Sequence, residues 1–146
     1  MRELFAEAIE VAARTGKPCA VLFLDLDGFK PVNDTFGHSL GDTVLRTVAQ
    51  RLISVTGARG QVSRVGGDEF AIVVADGQSR QAIEAFGHEL IRAVAEPYAC
   101  DNVEIRIGIS IGSAFAPMDG NSVDELLLKA DLALYQAKSK GRGTFV

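Results

Sequence analysis

The stretch Gln61-Val-Ser-Arg-Val-Gly-Gly-Asp-Glu-Phe-Ala-Ile-Val-Val-Ala75 decides the fold class. Its two arms, Gln61 to Val65 and Glu69 to Ala75, read as strands joined tightly through Gly66-Gly67-Asp68, because glycines permit the positive φ that a short hairpin turn needs. The second arm is apolar on both faces and is expected to be buried. A strand hairpin among crossover connections argues against a purely parallel doubly wound sheet. It favours an α/β (α+β) fold with one central mixed, mainly antiparallel sheet flanked by helices.

Upstream, Ala20-Val-Leu-Phe-Leu24 is apolar at every position, as expected of a central strand covered on both faces, and it ends in Asp25-Leu-Asp27. Before it, Arg2 to Arg14 has helical spacing and is stopped by Gly16 and Pro18. After Gly28, a short irregular or helical stretch containing Pro31 leads to a helix from Leu40 to Val55. Val44, Leu45, Val48, Ala49, Leu52 and Ile53 lie on one broad face of it, and Gly57 and Gly60 end it. Downstream of the hairpin, a helix spans Ser79 to Ala95 with Ile83, Phe86, Leu90, Ile91 and Val94 inward. Val103 to Phe115 alternates as one long half-buried strand. Ser122-Val-Asp-Glu125 is a capping box opening a last helix to about Lys140, with Leu126, Leu127, Ala130, Leu134 and Ala137 toward the core. Short strands are also expected at Tyr98 to Cys100 and Thr144 to Val146.

The 146 residues are 47% hydrophobic and 23% charged, which suits a single domain, 1–146, with a core of its own. The net charge of −4 argues against nucleic acid as a bulk partner. No apolar run approaches the roughly 20 residues of a membrane span, so no membrane contact by this domain is expected. Cys19 and Cys100 have no CxxC partner and read as buried hydrophobes in a reducing, cytoplasmic setting.

Two acidic tips carry the candidate chemistry. Asp25 and Asp27 share a face at the carboxyl end of a buried strand, the usual ligand crevice of such folds. Asp68 and Glu69 sit at the hairpin tip. Alone, the first pair reads equally as a solvated strand end or helix cap and the second as an ordinary acidic turn; if they meet, they build a site for a hard divalent cation with a spare carboxylate for proton transfer. Gly28, Phe29 and Lys30 form a turn whose backbone N–H groups can cradle phosphate oxygens, with Lys30 adding a point charge. Asn33 and Asp42 either cap helices or read a base, since a carboxylate accepts from the N1–H and amine of guanine. Lys138 and Arg142, four apart, either cap the last helix or reach terminal phosphates. His38 reads as a structural turn residue and His88 as a surface residue with no obvious partner. Neither a GxGxxG nor a P-loop motif occurs.

Five ordered motifs, Asp25-Leu-Asp-Gly-Phe-Lys-Pro-Val-Asn-Asp34, Gly37-His-Ser-Leu-Gly-Asp42, Arg64-Val-Gly-Gly-Asp-Glu-Phe70, Ser110-Ile-Gly112 and Ala130-Asp-Leu-Ala-Leu-Tyr-Gln-Ala-Lys138, closely resemble the GGDEF domain family of bacterial diguanylate cyclases over nearly the whole chain. The resemblance implies a fold similar to the polymerase palm and the class III nucleotide cyclases. It implies condensation of two GTP into cyclic di-GMP with release of two pyrophosphates. Matched by position, Asp25, the Leu26 carbonyl and Asp68 hold Mg²⁺ or Mn²⁺. Asn33 and Asp42 read guanine, Lys138 and Arg142 contact phosphates with help from Gly28, Phe29 and Lys30, and Asp68 or Glu69 assists deprotonation of the ribose hydroxyl. Because each domain holds one GTP, the resemblance implies a homodimer for catalysis; the alternative is a non-catalytic GTP-binding regulatory module.

Three departures from the family pattern stand out. The inhibitory product site of the family is an Arg-x-x-Asp, and Gly57 and Gly60 occupy its positions, so product feedback is expected to be absent. The family's Asp-x-Leu-Thr-Gly-Leu segment before the first helix is missing, so the chain reads as a fragment of a longer multidomain protein with an upstream sensory or regulatory domain. Gly143 stands where the family often has Asn.

Overall fold

A computed structural model describes residues 6–7, 10–11, 14–75, 79–100, 102–116, 118–120 and 122–146. The helix expected over Arg2 to Arg14 lies largely outside the described residues. The remaining chain runs β1 (Cys19–Asp27), α1 (Phe29–Phe36), α2 (His38–Thr56), β2 (Gln61–Arg64), β3 (Glu69–Val74), α3 (Arg80–Ala95), β4 (Tyr98–Cys100), β5 (Val103–Ile105), β6 (Gly108–Ala116) and α4 (Val123–Ser139).

Four strands form one sheet in the order β2-β3-β1-β6, with every ladder antiparallel. Its parallel component is a single bridge from Ile111 to Phe145, all that the strand expected at Thr144 to Val146 amounts to. The central strand β1 alternates between two buried layers because both sheet faces are covered. Ala20, Leu22 and Leu24 pack with Val44, Val48 and Leu52 of α2 and Ile83, Phe86 and Leu90 of α3. Cys19 and Val21 pack on the opposite face with Leu126 and Ala130 of α4. Helix starts follow the sequence: Ser79 accepts from the Ala82 N–H, and Ser122 accepts from the Glu125 N–H at 3.2 Å.

Four sequence expectations need correction. Neither Gly66 nor Gly67 has a positive φ. The hairpin loop is four residues long, Val65 to Asp68, and is closed by the Val65 and Gly66 N–H groups donating to the Glu69 carbonyl at 2.9 and 3.3 Å. A loop of that length does not need the left-handed turn of a two-residue hairpin. Second, Val103 to Phe115 is two strands: β5 pairs with β4, and after Arg106 and Ile107 the chain joins the main sheet as β6. β6 is buried on both faces rather than half-buried. Third, Ile53 is 58% exposed, at the rim of a groove of about 420 Å³ between α2 and the hairpin, so the apolar face of α2 is narrower than its spacing suggests. Fourth, His88 does have neighbours: its Nε2 lies 3.8 Å from Glu84, and its ring stands against Phe145. Cys19 and Cys100 are buried and unpaired as expected, and burial pushes the Cys19 thiol up to about 11.

Candidate active site

The two acidic tips meet because β1 and β3 are neighbours. Asp25 stands opposite Glu69 in the ladder, and the Leu26 N–H donates to the Asp68 carbonyl at 3.1 Å. Asp68 and Glu69 are both half-buried. Burial raises the Asp25 carboxyl above its ordinary range, and Asp68 and Asp27 add to this, while the hydrogen bond and charge of Lys138 oppose it. Glu69 is also raised, first by burial and then by Asp25, Asp68 and Asp131, with Lys138 opposing. Four carboxylates thus crowd one sheet end.

Lys138, on the last turn of α4, places its Nζ 2.7 Å from Asp25 Oδ2 and 3.9 Å from Asp27 Oδ1. Arg142 reaches Asp27 Oδ1 at 3.3 Å. Both cations therefore face the acids, and the helix end is closed by the Lys140 N–H donating to the Gln136 carbonyl and the Gly141 N–H to the Lys138 carbonyl.

A cleft of about 500 Å³ opens over this cluster, lined by Asp25, Leu26, Gly28, Phe29, Lys30, Asp68, Lys138 and Arg142, with Pro31 at its edge. Gly28 holds a left-handed conformation, φ 82°, that reverses the chain from β1 into α1. No side chain caps α1, so its first N–H groups meet the cleft without a protein acceptor there. Phe29 is buried, leaving its backbone as the part that can face a ligand. An adjoining pocket of about 320 Å³ shares Phe29, Lys30 and Asp68 and adds Asn33, His38, Asp42, Leu45, Arg64 and Gly67. The sequence-predicted residues line one of two pockets with a common wall, except Glu69, which stands beside Asp25 and Asp68, and Asp27, which is turned to Ser110, Lys138 and Arg142. Neither Asn33 nor Asp42 is a side-chain N-cap: they lie inside α1 and α2, whose N-cap positions are Gly28 and Gly37. Asn33 Nδ2 lies 3.0 Å from His38 Nδ1, which gives His38 a side-chain role in the pocket as well as its place in the turn.

The acids suit a divalent cation. Asp25 Oδ1 is buried with no hydrogen-bond partner, beside carboxylates that repel it. Among the described residues, no group of three or more His, Cys, Asp or Glu side chains converges to hold a metal by itself. A hard cation such as Mg²⁺ needs only one or two carboxylates, completed by carbonyl, water and phosphate oxygens.

Some contributors were not legible in the sequence. Gly41 is bare so that Asn33 fits: a Cβ there would fall on the Asn33 Oδ1. Arg64 ties the hairpin loop by donating to the carbonyls of Gly66 at 3.0 Å and Gly67 at 2.7 Å. Ser110, fully buried opposite Asp25, donates to Asp27 Oδ2 at 2.7 Å. The motif context Arg64 to Phe70 was the one sequence signal pointing to Arg64.

The family model described as diguanylate cyclase, GGDEF domain, matches residues 1–144. The bifunctional diguanylate cyclase/cyclic di-GMP phosphodiesterase MucR of Pseudomonas aeruginosa is 41% identical over 141 residues, covering 95% of this chain and 20% of MucR. The cyclic di-GMP phosphodiesterase NbdA of the same organism is 39% identical over 140 residues, covering 96% of this chain and 18% of NbdA. Among solved structures, the GGDEF domain of P. aeruginosa TpbB (YfiN) superposes with a TM-score of 0.94 at 33% identity, covering 99% of this chain and 84% of that one. The chain belongs to the GGDEF domain family. It spans about a fifth of the length of the curated relatives it matches.

Proposed function

We propose that the chain is a diguanylate cyclase domain that condenses two GTP into cyclic di-GMP and two pyrophosphates, using a divalent cation, at the interface of two copies. The observation that carries this reading is the continuity of the two pockets. Acids stand at one end, uncapped N–H groups and Lys30 at the shared wall, and Asn33 with Asp42 at the other end. That order of chemistry matches metal, triphosphate and guanine along one nucleotide.

Asp25, Asp68 and the Leu26 carbonyl would hold Mg²⁺ or Mn²⁺, which when bound neutralises charge on the triphosphate. Lys138, Arg142 and the N–H groups from Gly28 to Lys30 bind and orient the phosphates. Asp42 accepts from the guanine N1–H and amine, and Asn33 serves the adjacent edge. Glu69, whose carboxylate is made more basic by burial and by its acidic neighbours, takes the proton of the attacking 3′-hydroxyl. The new O3′–Pα bond forms as the bond from Pα to pyrophosphate breaks. Since one cleft holds one GTP, the attacking hydroxyl comes from a second copy, and a C₂ dimer lets the reaction occur twice. Use of GTP fits a domain that works in the cytoplasm, and the short span relative to its relatives fits a piece of a longer protein with an upstream regulatory domain. Among the described residues, no helix is long and apolar enough to cross a membrane.

Incubating the chain with GTP and Mg²⁺ over a wide range of protein concentration, with products identified by mass spectrometry, tests the proposal. Cyclic di-GMP formed at a specific rate that climbs with concentration supports it. Saturable GTP binding without pyrophosphate at any concentration supports the second reading, a GTP-binding regulatory module, which is favoured by the phosphodiesterase name of NbdA.

A further inference from the structure

Asp27 does not line the cleft but lies behind two residues that do, Lys138 and Arg142, and has no part in the scheme above. Its side chain is 11% exposed and fully engaged. Oδ2 accepts from Ser110 Oγ at 2.7 Å and from the Gly143 N–H at 3.0 Å. Oδ1 faces Arg142 Nη1 at 3.3 Å and Lys138 Nζ at 3.9 Å. Ser110, itself fully buried, also accepts from the Gly143 N–H at 3.2 Å. A carboxylate whose oxygens are committed in this way is poorly placed to bind a metal.

The turn it grips is an unusual one. Gly141, Arg142 and Gly143 all have positive φ, at 111°, 65° and 58°. Arginine at φ 65° is held against its backbone preference, a state that persists only when the surroundings impose it. The Gly141 and Arg142 N–H groups turn back onto the Lys138 and Ala137 carbonyls at 3.3 and 3.2 Å, while Asp27 and Ser110 hold the Gly143 end of the turn and Asp27 meets the Arg142 guanidinium, whose side chain is 58% exposed and lines the cleft.

We infer that Asp27, clasped by the Ser110 hydroxyl, is a positioning residue that holds the Gly141–Gly143 turn and so aims Arg142, with Lys138 beside it, at the triphosphate end of the cleft. This rests on the reading of the cleft as a GTP site. Fixing two long cationic side chains before the ligand arrives lowers the ordering cost of binding. The effect of Asp27 should therefore run through Arg142 and be confined to ligands that carry phosphates.

The test is a double-mutant cycle on the full chain, read by calorimetric binding of GTP with Mg²⁺ and by competition with guanosine. Asp27→Asn is expected to weaken GTP by about tenfold, and by less than about threefold when Arg142→Ala is already present. Guanosine affinity and melting temperature should stay near those of the unaltered chain. An equal loss in both backgrounds, or an equal loss for guanosine, makes Asp27 a fold residue and overturns the inference. Should Asp27→Asn fail to fold, Ser110→Ala carries the same cycle. If the unaltered chain binds no GTP, the reading of the cleft falls and this inference with it; GTP binding without coupling overturns the positioning role alone.

Discussion

Glu69 illustrates what the crowding of acids costs. A carboxyl group that binds its proton more tightly in the native chain than in the unfolded one stabilises the fold at low pH, and that contribution is lost as pH rises through its native value. Glu69 is raised by burial and by Asp25, Asp68 and Asp131, so at neutral pH its ionised form works against folding. Glu69→Gln is therefore expected to melt at a higher temperature than the unaltered chain at pH 7. The gap should close as pH falls to about 4, where an ordinary glutamate takes up its proton. The same variant should lose turnover. Thermal melts at the two pH values check the sign, and a lower melting temperature at pH 7 would contradict it. Asp42 makes a different kind of prediction. Its carboxylate accepts donors that guanine has and adenine lacks, so Asp42→Ala should weaken GTP by roughly tenfold to a hundredfold and leave weak ATP binding unchanged. Competition titrations read the ratio. At this scale the acids were legible because charge at the end of an apolar strand is conspicuous. Gly41 and Ser110 were not, since their roles are fits to Asn33 and Asp27 that appear only once the chain has folded.

Among the elements, the seam between β6 and α4 fixes the position of Lys138 relative to Asp25. Gly112 makes the seam possible: a Cβ there would fall on the Leu134 amide and the Ala130 carbonyl, which are backbone and cannot step aside as a side chain end could. Gly112→Ala is expected to lift α4 from the sheet, costing about 3 kcal/mol and roughly 10 °C of melting temperature. GTP affinity should fall with it, as Lys138 moves with the helix. A melt within about 2 °C of the unaltered chain would show that the helix slides at little cost. The helices and the hairpin arms were readable because periodicity and caps are local signals. The break after Ile105 was not: Val103 to Ile111 keeps strict alternation while the chain leaves β4 for β1, and period 2 carries no information about which partner a strand takes. The hairpin loop teaches the converse. Its existence was legible, but its closure rests on Arg64 and the Glu69 carbonyl rather than on glycine conformations.

At the scale of the whole molecule, the proposed reaction makes two demands that pull apart. Turnover needs two clefts to face one another, so the initial rate should rise with about the square of protein concentration until dimers saturate. Product feedback, by contrast, is expected to be absent, because glycines occupy the positions of the family's Arg-x-x-Asp and the backbone there disfavours side chains. Gly57 ends α2 at φ 55°, a conformation that an arginine adopts only under strain. Gly60 is closed for a different reason, since a Cβ there would fall on the Val73 carbonyl of β3. Side chains in place of these two glycines would thus strain the turn that delivers the chain into β2. Installing Gly57→Arg with Gly60→Asp is expected to loosen the hairpin before it creates an inhibitory site. For the unaltered chain, cyclic di-GMP added at up to millimolar concentration should leave the maximal rate intact and raise only the GTP requirement, as a product competing in the cleft does. Initial rates at several GTP concentrations separate the two patterns. A fall in the maximal rate at saturating GTP would mean that the product binds elsewhere on the domain despite the closed position at Gly60.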